Sequence, residues 1–285
     1  MADDVGRVFL VTGAGPGSLG EATAHQLRGL GRVITTRRTG QPAADFHPLD
    51  LADGASVTAF AGWLVEETDR LDVLVNNAGI HLDLRSKWRE PQILDGHEIH
   101  WRTNYLGTAH LTRLLRPLLL RTAKSHGEAR VVNVVSRLHE RGRNEWLTGT
   151  VTPYDSWAAY GTSKLALVHE AREIERRYGY QGLHGYSLHP GAVYTKVADR
   201  GLETAPVLAR LRKLAAPLER RTLATPEVGA QTSVFCATSP DAVPGGYHRG
   251  SAPAEPSPEA FDNAAAARLW EATSDWLARQ PAGSS

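Results

Sequence analysis

The sequence predicts an α/β protein: one doubly wound parallel sheet with helices on both faces. Three observations predict it. Apolar runs rich in valine alternate along the chain with segments of helical spacing. The first run feeds directly into "TGAGPGSLG" at 12–20, four glycines in nine residues, the kind of loop that joins a buried strand to a helix. The length of 285 residues accommodates one large core, so 1–285 is expected to be a single domain.

Taken in order, the strands are expected at "VFLV" (8–11), "RVITT" (32–36), "DVLV" (72–75), "RVVNVV" (130–135) and "GYSLH" (185–189). After the glycines, Leu19, Thr23, Leu27 and Leu30 share one helical face, which places a helix against the first strand. Right-handed crossovers then line up the C-terminal ends of the strands along one crevice, where open α/β sheets bind ligands. The apolar run "LTRLLRPLLL" is interrupted by Arg116 and Pro117, and no segment reads as a membrane span. "GSAPAEPSP" (250–258) reads as a surface connection, followed by a C-terminal helix around 259–279.

Composition excludes several function classes. With 32 lysines and arginines against 31 acids, the net charge is +1, so no strong field recruits nucleic acid or an anionic membrane. The single cysteine, Cys236, excludes an intramolecular disulfide and suits a reducing compartment; with an N-terminal apolar run too short for a signal peptide, the expected location is the cytoplasm. His81, His139 and His189 lie near strand ends at spacings that match no metal-ligand pattern, so no metal is expected. Trp146 and Trp157 are read either as a pocket wall or as core.

The glycine loop fits two phosphate-binding patterns. Gly15, Gly17 and Gly20 spell GxGxxG, while Thr12, Gly13 and Gly17 begin TGxxxG. Either lets a backbone approach a pyrophosphate beside the open N–H groups of a helix start. In "AAYGTSKLAL", Tyr160 and Lys164 stand one helical turn apart on one face. A free phenol has a pKa of about 10, and a nearby cation favours its ionised form, so the pair suits a proton donor and its tuner. Ser136 ends the run "RVVNVV", and Asn76 to Gly79 end "DVLV"; both strand ends should face the crevice. Asn104 stands near the start of a helical segment containing Leu106, His110 and Leu111.

With these motifs in this order ("TGAGPG", "NNAG", "TNYLG", a strand-terminal serine, YxxxK and "HPGAVYT") the chain resembles the short-chain dehydrogenase/reductase family, and within it the retinol-dehydrogenase-like and WW-domain-oxidoreductase-like branch. The resemblance implies a Rossmann-type fold and hydride transfer between a nicotinamide and a carbonyl carbon. It implies that Tyr160 is the general acid or base, that Ser136 hydrogen-bonds the substrate oxygen, and that Lys164 lowers the tyrosine pKa and holds the nicotinamide ribose. Asn104 would keep a water linking Lys164 to solvent. Asn77, Ala78 and Gly79 would line the adenine ribose side; Pro190, Gly191, Val193 and Thr195 would hold the carboxamide. Thr12, Gly13, Gly15, Gly17, Ser18, Leu19 and Gly20 would surround the pyrophosphate, and Asp50 with Leu51 would contact adenine. The family loop is TGxxxGxG, and this one is a residue longer.

The second strand ends in Arg37 and Arg38 where an acid would bind the ribose of NAD, so NADP(H) is preferred over NAD(H). In "APVLARLRKLAAPLERR", an apolar face formed by Val207 or Leu208, Leu211, Leu214 or Ala215, and Leu218 suggests a lid around 196–225 over a lipophilic ketone, aldehyde or secondary alcohol. A homodimer or homotetramer, paired through the long helices as family members often are, is expected. The longer loop leaves two other readings open: a redox-silent member using the Ser/Tyr/Lys set for dehydration, cyclisation or isomerisation, or a regulatory dinucleotide-binding protein.

Overall fold

The computed structural model of the chain describes residues 6–82, 88–191 and 224–280. The strands are β1 (Arg7–Val11), β2 (Gly31–Arg37), β3 (Phe46–Pro48), β4 (Val73–Asn76), a small hairpin of β5 (Ile93–Leu94) and β6 (His97–Glu98), then β7 (Ala129–Val134), β8 (Leu183–His189), β9 (Tyr247–Arg249) and β10 (Ala252–Ala254). The α-helices are α1 (Leu19–Leu27), α2 (Gly54–Glu67), α3 (Gly107–His126), α4 (Ser156–Tyr178), α5 (Pro226–Thr238) and α6 (Asn263–Ala278). The main sheet runs β10-β9-β8-β7-β4-β1-β2-β3, parallel throughout except for β10. Strand order reverses between β1 and β4, and the crevice outside their C-terminal ends is where such sheets take ligands.

Alternation along β1 explains the two layers. Val8 and Leu10 join the core built with α2 and α3, while Phe9 and Val11 join the core built with α1 and α5. Both sets are fully buried, as a parallel strand between two helical layers requires. Side chains start the helices at defined residues: Ser18 caps α1, Asp53 caps α2, Asp155 caps α4, Thr225 caps α5 and Asp262 caps α6.

Two expectations need correction. Helix α1 ends at Leu27, and Leu30, expected on its buried face, is exposed in the turn to β2. Helix α3 runs continuously through Pro117, which lies exposed. "GSAPAEPSP" is more than a connection, because Ala252–Ala254 pair antiparallel with β9 at the sheet edge, a place where proline is tolerated. Ahead of α2, Asp50 bonds the Ala52 N–H in a local turn.

Helix α6 docks on the outer side of α3 and α4. Trp270 packs among the α3 leucines with the Arg113 guanidinium 3.4 Å above its ring, Ser274 accepts from Arg113, and Thr273 bonds the Tyr105 hydroxyl. Pairing of copies through α3 and α4 would have to use what α6 leaves open. No helix among the described residues is long and apolar enough to cross a membrane.

Candidate active site

The glycine loop is shaped by two left-handed residues, Gly13 and Gly17, both at φ +71°. A Cβ at Gly13 would strike Ala78, and one at Gly20 would press on Asn77 and the Gly13 carbonyl, so β1, α1 and the end of β4 meet without side chains between them. Over Gly15 there is open space. Ser18 faces inward: its hydroxyl donates to the Gly13 carbonyl and accepts from the Glu21 N–H. The Gly17 N–H donates to the Glu21 carboxylate at 2.6 Å. Among the described residues, the N–H groups of Gly15, Leu19 and Gly20 have no acceptor, which leaves a donor cradle at the helix start suited to a pyrophosphate. With this longer loop in front of it, α1 still starts at Leu19 with Ser18 as its cap.

Thr12 ties this loop to β4. Its hydroxyl accepts from the N–H groups of Asn77 and Ala78 and donates to the Val75 carbonyl, and the Asn77 amide donates to the carbonyls of Thr12 and Gly13. These residues therefore build the wall by bonding one another. At the end of β2, Arg37 and Arg38 are both exposed; Arg37 lies 4.6 Å above the Phe46 ring and donates to the Thr39 carbonyl. Leu51 is buried, and its carbonyl accepts from Arg102.

Strand β7 delivers Ser136, and α4 delivers Tyr160 and Lys164. Tyr160 keeps some exposed surface while its hydroxyl is enclosed beside the Ser136 side chain. Burial pushes the phenol up to about 12, and the neighbouring Ser136 side chain offsets part of that rise. Lys164 is not among the groups that lower it, so burial outweighs the expected tuning in the chain by itself. Burial also brings the Lys164 ammonium down to about 8. Its Nζ donates to the Val134 carbonyl at 3.2 Å and lies 5.8 Å from the Tyr160 ring centre. A Cβ at Gly79 would sit 3.2 Å from both Lys164 Nζ and Asn104 Oδ1, so the absent side chain keeps this corner passable.

Asn104 lies in a π-helical turn, Trp101–Leu106, that opens into α3, an irregularity frequent at functional sites. Its amide grips Ile80 at both backbone groups, accepting from the N–H at 2.7 Å and donating to the C=O at 2.9 Å, and also donates to Ser163. Asn104, Ser136, Tyr160 and Lys164 thus converge where β4 and β7 end. Pro190 and Gly191 follow β8, with Gly191 at φ +88°. Val193, Thr195 and the expected lid, apart from Ala224 and Thr225, lie outside the described residues.

One cluster escaped the sequence reading. His81 lies parallel to Tyr160, ring centres 4.0 Å apart and 15° between planes, and Trp157 meets His81 edge-on at 5.1 Å. His100, fully buried, bonds Glu98. The "E-I-H" spacing in "DGHEIHWRTN" was the only available signal, and its partners are set by the fold. Trp146 instead packs with Val151, Ala158 and Ala159. His139 bonds the Ser136 carbonyl and the Ser257 N–H, and no group of metal-ligating side chains occurs among the described residues.

The short chain dehydrogenase family model matches residues 7–205. The chain belongs to this family. Dehydrogenase/reductase SDR family member 13 of Bos taurus is 38% identical over 94% of this chain and 72% of its own length. Retinol dehydrogenase 12 of Bos taurus is 35% identical over 95% of this chain and 86% of its own. Among solved structures, an uncharacterized protein from Mycobacterium Paratuberculosis superposes with a TM-score of 0.68 at 30% identity, covering 96% of this chain and 94% of that one. The Pseudomonas aeruginosa RhlG/NADP active-site complex superposes at 0.64 with 25% identity, covering 86% and 94%. The protein is thus an oxidoreductase-family enzyme on a Rossmann-type sheet, with retinol dehydrogenases among its relatives.

Proposed function

We propose that the chain is an NADP(H)-dependent oxidoreductase that interconverts a lipophilic ketone or aldehyde with its alcohol. The convergence of Ser136, Tyr160, Lys164 and Asn104 beside the open N–H cradle of the glycine loop carries this reading. Bound NADP(H) supplies or accepts hydride at the nicotinamide. With its phenol held at about 12, Tyr160 is protonated at neutral pH, the form that gives a proton to a carbonyl oxygen as charge builds there. Ser136 offers a second hydrogen bond to the same oxygen. The Lys164 cation, its Nζ beside Gly79, would bind ribose hydroxyls and, in the alcohol-oxidising direction, would favour the phenolate. Asn104 orders water between Lys164 and solvent.

Loop residues 12–20 hold the pyrophosphate. Arg37 and Arg38, exposed at the end of β2, bind the 2′-phosphate as planar cations. Asp50 and Leu51 face adenine, Asn77 to Gly79 its ribose, and Pro190, Gly191, Val193 and Thr195 the carboxamide. The names of the retinol dehydrogenase relatives make retinaldehyde the first carbonyl to offer. The chain acts as one domain, and its buried lone cysteine suits the cytoplasm.

Titration with NADPH and with NADH, followed by nicotinamide fluorescence, tests the cofactor reading. NADPH is expected to bind at least about tenfold tighter, roughly 1.4 kcal/mol, and replacing Arg37 and Arg38 together by alanine should erase the gap. Equal affinities, or a preference for NADH, refute the arginine pair; binding of neither refutes the oxidoreductase.

A further inference from the structure

A tyrosine's hydroxyl lies on the axis of its ring torsion, so χ1, held by whatever packs against the ring, decides where the phenol points. Tyr160 has one ring face covered by His81, stacked at 4.0 Å, and the edge of His100 meets Tyr160 at 6.0 Å and 86°. The segment bearing His81 is clamped on both sides. Ile80 is gripped at its N–H and C=O by Asn104, and the Leu82 N–H donates to His100 Nε2 at 3.0 Å.

Accepting at Nε2 puts the imidazole proton on Nδ1, which donates to Glu98 Oε1 at 2.8 Å. Glu98 is itself buried and satisfied: Oε2 accepts from the N–H groups of His100 and Trp101, and Oε1 also accepts from the Tyr154 hydroxyl. A buried carboxylate–imidazole pair is a weak source of stability because desolvation offsets its attraction. Here its outward-facing bond goes to one backbone group, that of Leu82.

We propose that His81 is a positioning residue for Tyr160, and that Glu98 and His100 act through it by holding residues 80–82 in register with α4. The proposal rests on the catalytic role given to Tyr160 above. Loosening the stacked ring lets the phenol swing away from Ser136, so fewer bound substrates meet an aligned proton donor. The effect belongs to the chemical step and not to binding.

Steady-state NADPH-linked reduction of retinaldehyde, with separate NADPH titrations, tests this in H81A, H81F, H100F and the H81A/H100F double variant. H81A should lower kcat about tenfold while KM and NADPH affinity stay within about twofold. H81F restores a flat ring and should recover kcat to within about threefold of the parent. H100F should lose kcat several-fold, and adding it to H81A should cost nothing more, because the two act in series. If H81A does not fold, H81L replaces it, filling the space without a flat ring. Parental kcat in H81A, no recovery in H81F, or additive losses in the double variant overturn the proposal. A parent protein that turns over nothing, or that loses nothing on Tyr160→Phe, sinks the underlying oxidoreductase reading and this proposal with it.

Discussion

At the residue scale, burial drives the pKa values of Tyr160 and Lys164 apart: the phenol rises to about 12 and the ammonium falls to about 8. Both shifts favour the uncharged form, as desolvation does. The consequence for pH dependence has a definite sign. Lys164 is a cation below about 8 and neutral above it, so kcat for alcohol oxidation, which relies on that cation to favour the phenolate, should stop gaining from rising pH and bend downward above about 8. A pH–rate profile checks this, and replacing Lys164 by methionine should remove the bend together with most of the rate. Ser136, Tyr160, Lys164 and Asn104 were legible because each sits in a short local pattern. The stack of His81 on Tyr160 was not, since it depends on a strand end and a helix 79 residues apart, and neither neighbourhood names the other.

At the element scale, α4 is placed by close backbone approach as much as by its apolar face. Gly161, next to Tyr160, has the Leu138 carbonyl where a Cβ would stand, and Gly185 in β8 likewise meets the Ala171 carbonyl of α4. Gly161→Ala must push the turn after Ser136 away from α4. It should destabilise the fold by about 1–3 kcal/mol and reduce kcat by separating Ser136 from Tyr160, as a thermal melt and a rate measurement would show. Unchanged stability would mean that the turn yields freely. The five apolar runs predicted as strands are all strands, because residues buried on both faces leave a continuous signal. Strands β3, β5, β6, β9 and β10, of two or three residues each, are too short to leave one. The end of α1 was misjudged because apolar spacing continues to Leu30 after the helix has stopped at Leu27.

At the scale of the whole molecule, the sheet reverses its winding between β1 and β4, and the described residues of the glycine loop, Asn104, Ser136, Tyr160 and Lys164 gather outside that end. The alternation of strand and helix made that architecture readable, whereas the docking of α6 over α3 and α4 was not, since a C-terminal amphipathic segment does not say which helices it will cover. The proposal made above assigns this architecture to hydride transfer, with Tyr160 as the proton donor. The most direct test is NADPH-linked reduction of retinaldehyde by the parent protein and by Tyr160→Phe side by side, with NADPH affinity measured on both. Turnover is expected in the parent, with a loss of about 100-fold or more in the variant and the same NADPH affinity in each. A variant as active as its parent would contradict the proposal.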